Sequence, residues 1–232
     1  MKKIKIVTWN IWGGKNIDNI IECLRTVDAD IIGLQEVLEE LDGSNNNAEN
    51  IASALGYEWA YTPTCTLDYE HSHLLKTHGY TRKMHWGNAV LSKYPIVGNN
   101  TYVLSNHKSR TALVTNIAVD SENLTAISTH LAYSKDSELI RSEQVDTLLK
   151  VIPDERTIVM GDFNESPKSV VIEKMRERLI DVQENTASDL VQPSGAERID
   201  YIFITKDIEC FNSKTIYSDA SDHLPILTEI ML

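Results

Sequence analysis

The chain has 232 residues, of which 42% are hydrophobic and 24% charged, ordinary values for a soluble globular protein. The formal net charge of −12 and the lack of a long basic run disfavour a non-specific binder of duplex DNA, although a local positive patch can lie on an acidic protein. No apolar run approaches the roughly 20 residues that span a bilayer, and the length fits one domain over residues 1–232.

Strands and helices alternate along the chain without a linker or a repeat. Apolar residues at helical spacing predict helices over residues 17–27, 48–55, 145–152 and 170–179, with Gly56 ending the second. Apolar runs and alternation predict strands near residues 3–9, 30–36, 57–62, 87–92, 96–104, 111–119, 123–130, 157–162, 199–205 and 224–231. Consecutive strands combined with separate helices favour an α/β fold with some antiparallel pairing.

Polar side chains stand at the ends of five of these apolar segments. They are Asn10, Glu36, His130, Asp162 with Asn164, and Asp222 with His223. If the five ends converge, they can hold a hard divalent cation and two imidazoles. After the fourth end, Ser166 and Pro167 predict a helix start with Pro at the first helical position.

The same five segments carry a family resemblance. They read TWN at 8–10, LQEV at 34–37, STHL at 128–131, GDFN at 161–164 and SDH at 221–223, with GNAVLSKYPI at 87–96 and RIDYI at 198–202 in support. In this order the sequence resembles the endonuclease/exonuclease/phosphatase superfamily of metal-dependent phosphohydrolases, which includes deoxyribonucleases, abasic-site endonucleases, neutral sphingomyelinases and inositol-phosphate phosphatases. The resemblance implies a four-layer α/β/β/α sandwich of two mixed sheets flanked by helices.

The resemblance also implies a metal site for Mg²⁺, with Mn²⁺ as a substitute. Glu36 is expected to anchor the cation, because hard cations take oxygen ligands. Asn10 is expected to act as a neutral oxygen ligand or a water-orienting amide, and Asp222 as a second metal or water contact. The alternatives are a surface or helix-initiating carboxylate for Glu36 and an ordinary turn residue for Asn10.

Five further positions are expected to be catalytic. Asp162 accepts a proton from the attacking water or orients it, and Asn164 holds that water or the phosphate. His223 stabilises the phosphoryl charge when protonated, a form that a nearby carboxylate favours, and the resemblance implies that Asp200 is this partner. His130 hydrogen-bonds the phosphate or the leaving oxygen. Taken alone, Asp162 and Asn164 could form only an Asx turn, and His130 could be structural.

Three residues are candidates for substrate binding. Arg110 matches an arginine that some family members direct at the substrate, but it could equally be a solvated charge at a strand edge. Asn88 could reach the cleft or serve turn geometry after Gly87. Trp12 could stack on a base or sugar, or pack in the core.

Residues 62–86 form the longest stretch without a predicted pattern and include four histidines, Arg82 and Lys83. We predict a polar, flexible loop that selects the substrate. His71 and His73 would share a face if they lay on a strand, which raises a second metal site, but the loop explains the composition better.

The combined features predict a Mg²⁺-dependent phosphoric ester hydrolase, and they favour a phosphodiesterase or nuclease within this class. The alternatives are a phosphomonoesterase for sugar or inositol phosphates and a non-catalytic binding member of the same fold. A serine hydrolase is disfavoured because the chain has no Gly-x-Ser-x-Gly elbow. Three widely spaced cysteines and an N-terminus without the apolar core of a signal peptide predict reduced thiols and a cytoplasmic protein.

Overall fold

The computed structural model of the protein describes residues 2–105, 109–134, 137–184 and 197–232. In chain order the strands are β1 Lys3–Asn10, β2 Ile31–Glu40, β3 Glu58–Leu67, β4 Met84–Ser92, β5 Ile96–Ser105, β6 Arg110–Val119, β7 Glu122–His130, β8 Thr157–Asp162, β9 Ile180–Asp181, β10 Asp200–Ile204, β11 Glu209–Thr215 and β12 Ile226–Met231. The helices are α1 Ile17–Val27, α2 Asn47–Leu55, α3 His73–Thr77, α4 Glu138–Val151 and α5 Val170–Arg178, with a short 3-10 turn at Trp12–Gly14.

The strands of the described ranges form two mixed sheets of six strands each. One sheet has the order β11-β12-β1-β2-β4-β3 and the other β5-β6-β7-β8-β10-β9. In each sheet one pair near the centre is parallel, β1 with β2 and β7 with β8, while the other pairs are antiparallel. Helices α1 and α2 cover the outer face of the first sheet, and α4 and α5 cover that of the second. The predicted α/β/β/α sandwich is therefore confirmed.

The two sheets pack face to face through a core of aliphatic side chains. Ile4 and Ile6 of β1 lie in one cluster with Met160 of β8 and Ile202 of β10, all fully buried. The sheets approach closely at Gly33, where an added Cβ would lie 2.9 Å from the Cβ of Met160. The functional residues must therefore lie at the rim of this core, where the packed aliphatic layers end.

The predicted elements differ from the observed ones at several boundaries. Strand β2 does not end at Glu36 but continues to Glu40. Helix α5 begins at Val170 and not at Pro167, because the Ser169 hydroxyl caps the helix by accepting from the backbone of Ile172. The strands β9 and β11 and the helix α3 were not predicted. The stop at Gly56 is confirmed, since this residue is in the left-handed conformation.

The prediction of an irregular loop over residues 62–86 is wrong. β3 and β4 extend into this stretch from both ends, and α3 lies between them. The apolar residues Leu75, Met84 and Trp86 are buried together with Leu38. His71 and His73 do not share a strand, since His71 lies in a turn and His73 begins α3. His71 and His73 therefore do not form the shared strand face that suggested a second metal site, although His71 lies in a group of possible metal ligands with Asp68 and Glu70. A role of residues 62–86 in substrate selection stays a prediction.

In the described ranges, each helix is too short or too polar to cross a bilayer. Cys23, Cys65 and Cys210 are free thiols, as the sequence predicts. The cellular compartment stays a prediction.

Candidate active site

Strand alternation places three of the predicted site residues on the faces that meet between the sheets. Alternate residues of a strand share a face. In β1, Asn10 is on the same face as the core residue Ile6, and in β8, Asp162 is on the same face as Met160. His130 has the same position at the end of β7, which is parallel to β8 and pairs with it at Asp162. All three side chains are buried at one rim of the sandwich.

Antiparallel neighbours bring the C-terminal residues to the same rim. β10 runs antiparallel to β8, so that Asp200 at its start lies opposite Asp162. His223 precedes β12, which pairs antiparallel with β1. Two hydrogen bonds fix this segment: the Ser221 hydroxyl donates to the Asn10 carbonyl over 2.7 Å, and the Trp9 indole donates to the His223 carbonyl over 2.9 Å.

Glu36 reaches the rim through a break in its strand. Regular alternation would direct its side chain away from that of Gln35, but the pairing of β2 with β4 shifts between Leu34 and Val37, and Glu36 has a φ of +57°. Such an irregularity redirects a side chain. As a result, Asn10 Nδ2 donates to Glu36 Oε1 over 3.2 Å.

Asp162 is the common neighbour of several polar groups. Its Oδ2 accepts from Asn10 Nδ2 over 3.2 Å and lies 3.4 Å from His130 Nε2 and 3.8 Å from His223 Nε2. Its Oδ1 accepts from the backbone N–H of Asn164 over 2.8 Å, which is the Asx turn that the sequence suggested as an alternative. Asp162 therefore forms an Asx turn through Oδ1 and contacts the polar groups of the site through Oδ2.

Asn164 joins this group from a strained backbone position. Its φ is +52°, a conformation that Asn tolerates better than most residues. Its side-chain nitrogen donates to the Leu131 carbonyl over 3.2 Å and lies 3.0 Å from His130 Nε2. Asn164 therefore ties the segment after β8 to the segment after β7.

The surroundings of the two histidines shift their pKa values in opposite directions. Burial alone would lower the pKa of His223, but the charge and hydrogen bond of Asp200, with the charges of Asp162 and Asp222, raise it well above its ordinary value. Burial lowers the pKa of His130 well below its ordinary value, and the charges of Arg110 and His223 lower it further. The site therefore favours the protonated form of His223 and the neutral form of His130.

The pKa values of two carboxyl groups in the site, Asp162 and Glu36, are raised. Burial and the nearby charge of Asp200 raise the pKa of Asp162, against the opposing effect of His223. Burial also raises the pKa of Glu36, and the charge of Asp222 adds to this, against the hydrogen bond from Asn10. Part of Glu36 still reaches solvent, so its carboxylate is less isolated from water than that of Asp162.

The three candidate substrate residues lie in different surroundings. Arg110 lies beside the site, since its Nε donates over 3.1 Å to the Leu131 carbonyl, which also accepts from Asn164. Asn88 is buried, and its amide donates to the Thr111 carbonyl over 3.1 Å. Trp12 is half-buried beside Asn10. Its binding of substrate, like that of Asn88, stays a prediction.

Trp12 is held from two sides. Its backbone N–H donates to Asn10 Oδ1 over 3.1 Å, and its ring meets the ring of His78 edge-on with 4.8 Å between centroids. The Lys15 ammonium lies 4.9 Å from the indole centroid. His78 links the segment before β4 to this turn and therefore to the rim of the site.

Residues 7–223 match the model of the "Endonuclease/Exonuclease/phosphatase family". The chain belongs to this family. The match covers most of the 232 residues and includes each of the five predicted site segments. A comparison with curated proteins finds no match.

Solved structures of the endonuclease/exonuclease/phosphatase family share the fold. The family protein from Beutenbergia cavernae DSM 12333 is 20% identical, with a TM-score of 0.81, over 100% of this chain and 72% of that one. The human Nocturnin catalytic domain with a bound sulfate anion is 19% identical, with a TM-score of 0.79, over 99% and 93% of the two chains. ANGEL2, a 2′,3′-cyclic phosphatase in complex with adenosine-2′,3′-vanadate, is 16% identical, with a TM-score of 0.76, over 98% and 95%. At these identities the likeness concerns the fold.

The family is divalent-metal dependent, and the donor set of this chain fits such an ion. Glu36 and Asp222 offer carboxylate oxygens, which are ligands that hard cations prefer. The amide oxygen of Asn10 accepts from the Trp12 N–H and its nitrogen donates to Glu36, so Asn10 would orient the Glu36 carboxylate or turn its amide to bind the cation. Burial raises the pKa of Glu36 and the charge of Asp222 adds to this, so a bound cation would favour the charged form of Glu36. A second group of possible ligands is formed by Asp162, Asp200 and His223, whose ligand atoms lie within 4.8 Å of one another. In that group, however, His223 and Asp200 already form a hydrogen-bonded pair.

Some residues that build the site had no role in the sequence prediction. Gln35 is buried between the sheets, where its amide donates to Thr8 over 3.3 Å and to Ser128 over 3.2 Å. Trp9 holds the segment before β12, as described above. Gln35 and Trp9 lie inside the sequence motifs described above. Their hydrogen-bond partners lie in distant segments, and no local sequence pattern indicates these pairs.

Proposed function

We propose that the protein is a divalent-metal-dependent hydrolase that cleaves phosphodiesters by attack of a water molecule. The observation that carries this proposal is the position of Asp162 Oδ2. This atom is 3.2 Å from Asn10 Nδ2, which also binds Glu36, and 3.8 Å from the imidazolium of His223. These distances support a mechanism in which Asp162 is the general base, Glu36 binds the metal and His223 stabilises the charge of the phosphoryl group.

A cation held by Glu36, Asn10 and Asp222 would neutralise charge on the phosphoryl oxygens. The protein residues perform the other tasks. Asp162 takes a proton from the attacking water, and its raised pKa makes it a stronger base than an ordinary carboxylate. The water oxygen bonds to phosphorus while the bond from phosphorus to the leaving oxygen breaks.

The two histidines act on different oxygens. His223 is protonated and donates a hydrogen bond to a phosphoryl oxygen, where negative charge grows in the transition state. The pKa of His130 is lowered, so the neutral ring donates its one N–H as a hydrogen bond to the leaving oxygen, which departs as an anion and takes up a proton from solvent. Asn164, which contacts His130, holds the attacking water or the phosphate.

The substrate class is tested by an activity panel with Mg²⁺, Mn²⁺ or EDTA. The panel contains bis-p-nitrophenyl phosphate, p-nitrophenyl phosphate, a 2′,3′-cyclic nucleotide, single-stranded DNA, RNA and abasic duplex DNA. We expect metal-dependent cleavage of the diesters, abolished by EDTA and by Asp162→Asn. The cyclic nucleotide is included because ANGEL2, a relative in fold, is a cyclic phosphatase.

The panel also separates the competing functions. Cleavage of the monoester alone would replace a phosphodiesterase with a phosphomonoesterase. No cleavage of any substrate, with metal bound, would favour a non-catalytic binding protein of the same fold. The panel includes nucleic acids of three kinds because the acidic charge disfavours duplex DNA but leaves single strands open.

A further inference from the structure

Trp86 of β4 contacts two residues of the candidate site. Its indole centroid lies 4.6 Å from the Cζ atom of Arg110 and 4.9 Å from the ring centroid of His130. Packing restrains the indole ring, because Trp86 is only 7% exposed and lies in one cluster with the buried residues Leu38 and Met84. A rigid aromatic surface therefore lies against both groups.

We propose that Trp86 is a positioning residue that holds the guanidinium of Arg110 in place to bind the phosphate of the substrate. This inference rests on the proposed function. A flat guanidinium against an aromatic face is attracted by the ring and loses little freedom on binding a phosphate. Trp86 does not itself contact the substrate.

The hydrogen bonds of Arg110 also restrain its guanidinium, as expected for a group that binds phosphate. Nε donates to the Leu131 carbonyl over 3.1 Å, and Nη1 donates to the Ser109 carbonyl over 3.3 Å. Within the described ranges, Nε and Nη1 make the hydrogen bonds of the guanidinium and Nη2 makes none. The Leu131 carbonyl also accepts from Asn164 Nδ2 over 3.2 Å, so the guanidinium lies beside a residue that we expect to hold the water or the phosphate.

The backbone after Arg110 is also fixed. The Thr111 carbonyl accepts from Asn88 Nδ2 and from the Thr129 hydroxyl, each over 3.1 Å. The Thr111 hydroxyl is 2.7 Å from that of Thr64 on β3. With the main chain held in this way, the remaining freedom of Arg110 lies in its long side chain, and Trp86 restricts that freedom.

Kinetics with bis-p-nitrophenyl phosphate test the positioning role. Trp86→Leu should lower kcat/KM roughly tenfold, the scale of a desolvated cation–π contact, while Trp86→Phe keeps an aromatic face and most of the activity. In an Arg110→Ala background, Trp86→Leu should cost less than about twofold, since its partner is gone. Trp59→Leu removes a tryptophan from β3 that is 38% exposed, and serves as the control. An undiminished tenfold loss in the Arg110→Ala background would overturn the proposal.

A second measurement does not depend on hydrolysis. The Nε–H group of Arg110 donates to Leu131 beside an indole ring, so its NMR signal should be protected from exchange and shifted by the ring current. The signal is assigned from its loss in Arg110→Lys. Trp86→Leu should move or broaden it, and Trp86→Phe should give an intermediate shift. An unchanged signal in the leucine variant, or in the phenylalanine variant if the leucine variant does not fold, would overturn the proposal even in an inactive protein.

Discussion

Nδ1 of His223 lies 2.8 Å from Oδ2 of Asp200, and Asp200 is buried at the start of β10. A buried carboxylate needs a partner, and an imidazole beside it is stabilised as the cation. The pair therefore explains how a histidine can stay charged in a half-buried site. It also leaves Nε2 of His223 directed toward Asp162, at 3.8 Å.

Replacing Asp200 should change the pH dependence of the enzyme. The pKa of His223 is raised, so the protonated form that we propose to be active persists to higher pH and is lost as the pH rises through the raised value. Asp200→Asn removes the charge that raises this pKa. The alkaline limb of the kcat/KM profile should therefore move to lower pH, by about one unit or more.

The same variant offers a direct check by NMR. The titration of the His223 ring protons should move to lower pH in Asp200→Asn and should not move in Asp222→Asn by the same amount, since Asp222 is exposed and acts at a distance. A His223 titration that is identical in wild type and Asp200→Asn would show that the pair does not control the charge of His223.

Removing the carboxylate of Glu36 should weaken metal binding. Glu36→Gln keeps the size of the side chain and its contact with Asn10 but loses the charge. We expect a higher concentration of Mg²⁺ for half-maximal activity, by roughly tenfold or more, and weaker Mn²⁺ binding by calorimetry. Asp200→Asn tests the other possible ligand group. A larger loss of Mn²⁺ affinity in Asp200→Asn than in Glu36→Gln would assign the metal to Asp162, Asp200 and His223.

A buried ion cluster at Asp181, in the edge strand β9, should contribute to the stability of the fold in a pH-dependent way. Asp181 is fully buried, with Arg176 and Arg198 each 2.7 Å from its Oδ2. Burial raises the pKa of Asp181, but the two arginines outweigh burial and lower it. Its ion pairs therefore stabilise the fold above the ordinary carboxyl pKa of about 4 and lose this effect as the pH falls through the lowered value.

Asp181→Asn tests this cluster by urea unfolding. The free energy of unfolding at pH 7 should fall by roughly 3 kcal/mol, because two arginines lose a buried partner. The difference from wild type should shrink as the pH falls through the lowered pKa of Asp181, where the wild-type carboxylate is protonated as well. Asp146→Asn, which removes a half-exposed partner of Lys174, should cost less than about 1 kcal/mol. Equal losses in the two variants would contradict the account of the buried cluster.

Binding to duplex DNA should be weak and sensitive to salt. The net charge of −12 leaves few cationic groups to neutralise phosphates. In fluorescence anisotropy with a labelled duplex, we expect no binding tighter than about 10 μM at physiological salt, and a steep loss between 50 and 200 mM salt. Tight binding that persists in physiological salt would instead indicate a function in DNA repair.

The sequence predicted the strands that deliver the site because their signals are local. Alternation and apolar runs identified β1, β7 and β8, and the polar residues at their ends are brought together by strand pairing. Because alternate residues of a strand share a face, the position of Asn10 in β1 and of Asp162 in β8 determines that both side chains lie between the sheets. The two-sheet arrangement came from the family resemblance, since periodicity does not determine how sheets stack.

Glu36 shows a feature that local signals could not predict. Its apolar neighbours indicated a strand end, but β2 continues beyond it, and only the left-handed backbone directs the carboxylate to Asn10. The contact of Trp86 with Arg110 was missed for a related reason. The two residues lie on different sheets, and nothing in either segment indicates the other.

Residues 62–86 were misread because their polar composition outweighed a few apolar positions. Leu75, Met84 and Trp86 are too widely spaced to form a pattern, yet they pack in one buried cluster with Leu38. Tertiary packing, and not local periodicity, orders this stretch.

The most direct test of the proposed chemistry is the turnover of bis-p-nitrophenyl phosphate by Asp162→Asn at saturating Mg²⁺. The variant keeps the shape of the side chain and its Asx turn but loses the base, so turnover should fall roughly a hundredfold or more while thermal unfolding stays close to that of wild type. His223→Ala should give a comparable loss, because it removes the cation beside the phosphoryl group. Near-normal turnover in a folded Asp162→Asn protein would contradict the assignment of Asp162 as the base and, with it, the mechanism proposed for this site.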